Sequence, residues 1–81
     1  MPFKSGFSTV DGRINLVQEE RFRLIAGTGK AYLLVLAHDS GVSSDDLRRW
    51  HRSGSWIRVE YAGEPNTENA VAHRAGPIEQ R

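Results

Sequence analysis

Apolar and polar residues alternate along several stretches of this chain. In residues 10–16 one side of the alternation is apolar or small; it holds Val10, Gly12, Ile14 and Leu16. The same alternation occurs in residues 22–26 and 57–61, with arginines at the outward positions 21, 23 and 58. A period of two indicates a half-buried strand. The glycine at position 12 is expected to permit a sharp bend in the first strand, as a barrel requires.

Two further strands are predicted from weaker patterns. Residues 32–36 form a continuous apolar run, which is too short for a helix and is typical of a strand covered on both faces. Residues 27–30, with two glycines, form the tight turn before it. Residues 70–74 form a less regular fifth strand.

A helix is predicted over residues 44–53. Ser43 fits its N-cap, Asp46 fits the N3 position of a capping box, and Gly54 fits the position that ends the last turn. Its apolar stripe consists of Leu47, Trp50 and His51. A helix of this length does not persist alone in water, so the stripe must dock on the rest of the domain.

The order of three strands, a helix and two strands resembles the OB-fold, a five-stranded barrel that carries its helix between strands three and four. The resemblance covers residues 9–78 and rests on element order and on the glycine in the first strand. We therefore expect a mainly β domain with one helix, an OB-like barrel. Residues 1–8 would be a flexible arm and residues 79–81 a tail. An open α+β sheet is the alternative if the fifth strand does not pair.

Length and composition favour one small domain outside the membrane. A chain of 81 residues cannot divide its apolar residues between two cores. It has no cysteine, its N-terminus lacks the apolar core of a signal peptide, and its longest apolar run, residues 31–37, is too short to span a bilayer. We expect a cytoplasmic protein. Eleven basic and ten acidic residues give a net charge of +1, which predicts little long-range attraction to polyanions.

Three motifs suggest catalysis or metal binding, and none fits. Residues 27–30 lack the first glycine, the Ser or Thr and the following helix of a phosphate-binding loop. Residues 38–40 are of the catalytic-triad types, but a triad is assembled from separated segments. His38, His51 and His73 do not have the spacing of a metal site. We expect a non-enzymatic domain with no metal and no cofactor.

Outward-facing arginines are the pattern with a functional implication. If the first two strands pair, Arg13, Arg21 and Arg23 share one outer face, which Arg58 can join. The OB resemblance implies that this face meets ligands. Arginine holds phosphates or stacks on bases, so the first prediction is weak, sequence-tolerant binding of single-stranded nucleic acid. A solvated charged face is the alternative, because Asp11 and nearby glutamates lie on the same hairpin.

A protein-interaction domain, or a small subunit of a larger complex, is the rival prediction. Strand edges or exposed aromatic side chains would then contact a protein partner; the candidates are Phe3, Phe7 and Trp56. Trp56 begins a strand and fits a stacking platform and a core position about equally. Trp50 follows Leu47 by three residues and is assigned to the core.

Overall fold

The computed structural model describes residues 7–64 and 70–78. Its elements are β1 (Ser8–Gln18), β2 (Arg21–Ala26), β3 (Ala31–Leu36), α1 (Ser44–Ser53), β4 (Trp56–Ala62) and β5 (Val71–Pro77). The strands close into a barrel in the order β1-β2-β3-β5-β4, and β1 pairs with β4 to complete it. The predicted five-stranded OB-like barrel, with its helix between β3 and β4, is therefore confirmed. Most of the predicted arm, residues 1–8, and the tail, residues 79–81, lie outside the described residues, and β1 begins at Ser8.

The fifth strand closes the barrel. β5 pairs antiparallel with β4 along most of its length. It also pairs in parallel with β3, where Val35 lies opposite Val71 and Leu36 opposite Ala72. The backbone N–H of Val35 donates to the carbonyl of Ala70 at 3.0 Å. The open-sheet alternative is excluded by these pairings.

One apolar core fills the barrel. Its buried residues are Val10, Ile14, Phe22, Leu24, Leu34, Leu36, Leu47, Ile57, Val59, Tyr61, Ala70 and Ala72. Leu47 is the buried residue of α1, and Trp50 packs against the core while half-exposed. Each strand and the helix thus contribute to a single interior, as the alternating pattern predicted.

Gly12 lies directly against the backbone of β2. A Cβ at this position would come within 2.8 Å of the carbonyl carbon of Ile25 and 3.0 Å of the Cα of Ala26. Both atoms belong to the backbone of β2, which cannot move aside as a flexible side chain can. Position 12 of β1 therefore requires glycine, because only a residue without a side chain fits against the backbone of β2.

The predicted inward face of β1 is wrong at its end. The register with β2 shifts between Ile14 and Leu16, so that Asn15 is the extra residue of a β-bulge. Beyond the bulge Val17 pairs with Phe22 and packs against the core, whereas Leu16 takes the outward position. The pattern predicted from the sequence alternates without a break through Leu16. The bulge at Asn15 exchanges the inward and outward positions that follow it.

The prediction that β3 is covered on both faces is also wrong. Leu34 and Leu36 are buried in the core, whereas the side chain of Leu33 is on the outside and 39% exposed. Leu33 pairs with Arg23, and Val35 pairs with Arg21. The outer side of β3 therefore adds aliphatic surface beside two arginines.

The helix has the predicted bounds and caps. The Ser43 side chain accepts the backbone N–H of Asp46, the Asp46 carboxylate accepts that of Ser43, and Gly54 adopts the left-handed conformation at the end. His51 is exposed, so its assignment to the apolar stripe is wrong. Among the described residues, no helix has the length and apolarity needed to cross a bilayer.

The capping box should make stability fall in acid. The pKa of Asp46 is lowered, chiefly because the backbone N–H of Ser43 donates to its carboxylate at 3.0 Å and also because Arg49 binds it. A carboxyl whose pKa is lower when folded stabilises the fold above its unfolded pKa, and this contribution is lost as the pH falls through the folded pKa. We expect Asp46→Asn to be less stable than the wild type at neutral pH in urea unfolding, with the difference shrinking in acid. A difference that does not change with pH would contradict this assignment.

Candidate functional site

The barrel registers bring Arg13 and Trp56 together on the outside. Arg13 pairs with Trp56 across β1 and β4, and with Ile25 across β1 and β2. These three residues form one row of outward neighbours. The guanidinium carbon of Arg13 lies 5.3 Å from the centroid of the Trp56 ring, within the range of a cation–π contact. The sequence identified both residues separately, but only the β1–β4 register makes them a pair.

An open groove lies beside this pair. It has a volume of about 440 Å³ and lies between the β1–β2 hairpin, the end of α1 and the start of β4. Three of the described residues that line it have polar side chains, namely Arg13, Asn15 and Trp56. The other described lining residues are aliphatic or glycine: Ile14, Ile25, Ala26, Gly27 and Gly54. The groove thus combines an aromatic ring, apolar walls and a few polar groups, as ligand sites commonly do.

Trp56 is held at the edge of the groove by the β2–β3 turn. The side chain is half-buried, and an edge carbon of its indole lies 3.6 Å from where a Cβ on Gly27 would be. This separation is an ordinary van der Waals distance, so the indole lies beside the turn at Gly27. Trp56 therefore belongs to the outer surface, and not to the core that Ile57 and Val59 enter.

Arg21 and Arg23 continue the same outer face along β2. We define the hairpin face as the outward residues Arg13, Asn15, Arg21, Arg23 and Ile25. The Arg23 Nε donates to the Asn15 Oδ1 at 2.9 Å. Arg21 is exposed and pairs across β1 with Gln18. The structure thus places three of the four predicted arginines on the outer side of one hairpin.

Arg58 is held in an ion pair. It lies opposite Asp11, to which its Nε and Nη2 donate at 2.8 and 3.0 Å. The hydrogen bond from Arg58 lowers the pKa of the Asp11 carboxyl below its usual value, and the pair raises the pKa of Arg58. Because of this pairing, Asp11 adds little free negative charge to the hairpin face, and Arg58 adds little free positive charge.

The two aromatic candidates that the structure describes, Phe7 and Trp56, do not form one surface. Phe7 is 41% exposed and its ring lies 4.9 Å from that of His73. Phe7 adjoins Ser8, which pairs with Tyr61, so it lies at the far end of the β1–β4 pair from Trp56. Phe3 lies outside the described residues. Phe7 and Trp56 therefore cannot make one compact contact.

The other sequence motifs lie in turns and on separate surfaces. Residues 27–30 form the β2–β3 turn as predicted, with the Gly29 N–H donating to the Ala26 carbonyl at 2.8 Å. His38 is exposed near Glu20, and His73 contacts Phe7. No group of three or more histidines or acidic side chains among the described residues is arranged to hold a metal ion.

The candidate site is therefore a guanidinium and an indole in contact beside an open groove, with two further arginines on the same face. In comparison with known proteins, no family model matches the chain, and no curated protein or solved structure matches it either.

Proposed function

We propose that this domain binds single-stranded nucleic acid through the hairpin face and Trp56. The observation that carries the proposal is the contact of Arg13 with Trp56, 5.3 Å from guanidinium to ring centroid, at the edge of an open groove. Proteins that bind single strands without sequence preference combine stacking of bases on aromatic rings and arginine with cationic contacts along the backbone. The resemblance of the barrel to the OB-fold supports the same choice of face.

The charge distribution supports weak binding that depends strongly on salt. Arg13, Arg21 and Arg23 project from the outer side of one hairpin, while the carboxylate of Asp11 is neutralised by Arg58. Each phosphate contact releases counterions, so affinity falls as salt increases. The net charge of the chain is only +1, so attraction acts at short range on this face.

Neutralising one arginine should test the assignment of the face. We expect Arg21→Gln to weaken binding of a fluorescent oligonucleotide and to reduce the slope of log affinity against log salt by about 0.7, the value for one phosphate contact on a single strand. Arg74→Gln is the matched control, because Arg74 is exposed on β5 and pairs with Glu60. Fluorescence anisotropy over a range of salt concentrations measures both effects. Equal losses of affinity in the two variants would contradict the proposal that the hairpin face binds the oligonucleotide.

A protein-interaction surface is the second candidate, favoured by the exposed aliphatic side chain of Leu33 beside Arg23. Leu33→Ser separates the two functions, because a protein contact depends on this apolar surface and phosphate contacts do not. Capture of a specific protein that persists after nuclease treatment, and is lost with Leu33→Ser, would support this candidate.

A further inference from the structure

An ion pair lies beside the Arg13–Trp56 contact on the outside of the barrel. Asp11 pairs with Arg58 across β1 and β4, and Arg13 pairs with Trp56 in the next outward row. Side chains two residues apart in a strand share one side and lie roughly 7 Å apart, so the two rows are neighbours. A nucleic acid strand with a base stacked on Trp56 would therefore pass close to Arg58.

Arg58 has donors left for a second partner. Its Nε and Nη2 donate to the Asp11 carboxylate at 2.8 and 3.0 Å. A guanidinium has five N–H groups, so three of them are not used by this pair. The side chains of Arg58 and Asp11 are 57% and 40% exposed, so both can be reached from solvent. A phosphate can thus contact Arg58, but it then also meets the carboxylate.

The carboxylate of Asp11 opposes such a contact. The hydrogen bond from Arg58 lowers the pKa of Asp11, so the carboxylate is charged at neutral pH. In water, the repulsion between two like charges roughly 4 Å apart is enough to change an affinity about fivefold. A phosphate at this position therefore gains attraction from the guanidinium and loses much of it to the carboxylate.

We propose that Asp11 limits the affinity of the domain for single-stranded nucleic acid by neutralising Arg58, which is a further phosphate contact on β4. This inference rests on the proposed function. It extends the binding surface from the hairpin face past Trp56 onto β4. If the ion pair served only to join β1 and β4, removing the charge of Asp11 would leave binding unchanged.

The variant Asp11→Asn tests the inference, because it removes the charge and keeps both the size of the side chain and an oxygen for Arg58. We expect it to bind a fluorescent single-stranded oligonucleotide about fivefold more tightly than the wild type at low salt. The slope of log affinity against log salt should become steeper by about 0.7, the value for one additional phosphate contact. Fluorescence anisotropy over a range of salt concentrations measures both.

Asp45→Asn is the matched control. It makes the same change of net charge and also releases an arginine, since Asp45 accepts from Arg48 Nη2 at 2.8 Å, but this pair lies on the exposed side of α1. We expect the control to leave the salt slope unchanged. Equal gains in affinity and slope in the two variants would reduce the effect to net charge and overturn the inference.

The variant Arg58→Gln assigns the gain to the arginine. Combined with Asp11→Asn, it should return the salt slope to the wild-type value. Alone, it leaves the charge of Asp11 without a partner and should weaken binding about fivefold. Far-ultraviolet circular dichroism checks that each variant keeps the barrel. If the wild type binds but Asp11→Asn matches it in affinity and slope, or if the steeper slope persists in the double variant, the inference is overturned and the proposed function stands. Absence of binding by the wild type and by every variant would overturn both.

Discussion

Replacing Gly12 by alanine is expected to destabilise the barrel by about 3 kcal/mol, at the upper end of the range for overpacking a core. The new methyl group would meet the Ile25 carbonyl and the Ala26 Cα, which are backbone atoms of the paired strand β2. Relief requires β1 and β2 to separate, and Gly12 pairs with Ala26 in the ladder that joins them. Urea unfolding followed by circular dichroism measures the change.

Gly76→Ala is the matched control for this prediction. Gly76 also lies in a paired strand, but a Cβ there would meet no atom within 4 Å. Alanine reduces the entropy of the unfolded chain relative to glycine, so this variant should be as stable as the wild type or slightly more so. If the two variants lose similar stability, then the close approach of β2 is not what requires glycine in β1.

Replacing Trp56 by leucine is expected to weaken oligonucleotide binding about tenfold or more, since stacking of a base on an aromatic ring contributes roughly 1–3 kcal/mol. The variant also removes the ring under the Arg13 guanidinium, so the arginine loses its anchor. Leucine keeps an apolar contact with the β2–β3 turn, and far-ultraviolet circular dichroism checks that the barrel is intact. Anisotropy of a labelled oligonucleotide measures the loss.

Trp50→Phe is the control for the loss of an indole. Trp50 lies on α1 and packs against the core, so we expect binding to be retained. The chain has two tryptophans, and this variant leaves Trp56 as the sole fluorescent indole. Its emission should be quenched when an oligonucleotide is added. A folded Trp56→Leu variant with wild-type affinity would exclude the stacking role.

The fold was predictable because its determinants are local. Alternation from Val10 to Ile14 and around Phe22 follows from the side-chain period of a strand, and the caps of α1 follow from Ser43 and Gly54. The errors arise where tertiary structure overrides a local pattern. The bulge at Asn15 changes the phase of β1, and no residue type in the sequence specifies it.

The candidate site was less predictable because its geometry depends on contacts between distant segments. Arg13 and Trp56 are 43 positions apart and meet only through the β1–β4 register. The same register places Asp11 opposite Arg58 and removes that arginine from the free cations. Alternation shows which side chains point outward, but it does not show which of them are neighbours. The arginines on two strands therefore allowed an outward face to be predicted from the sequence, but not the groove beside it.

Backbone amide chemical shifts show whether the hairpin face binds a single strand. We expect titration of the ¹⁵N-labelled domain with a single-stranded oligonucleotide at low salt to shift the amides of residues 11–25 and 56, and to leave those of residues 44–50 and 74–76 in place. Shifts should reverse when salt is added, because phosphate contacts weaken. Unchanged amides along residues 11–25 at saturating oligonucleotide, or shifts confined to other parts of the barrel, would contradict the claim.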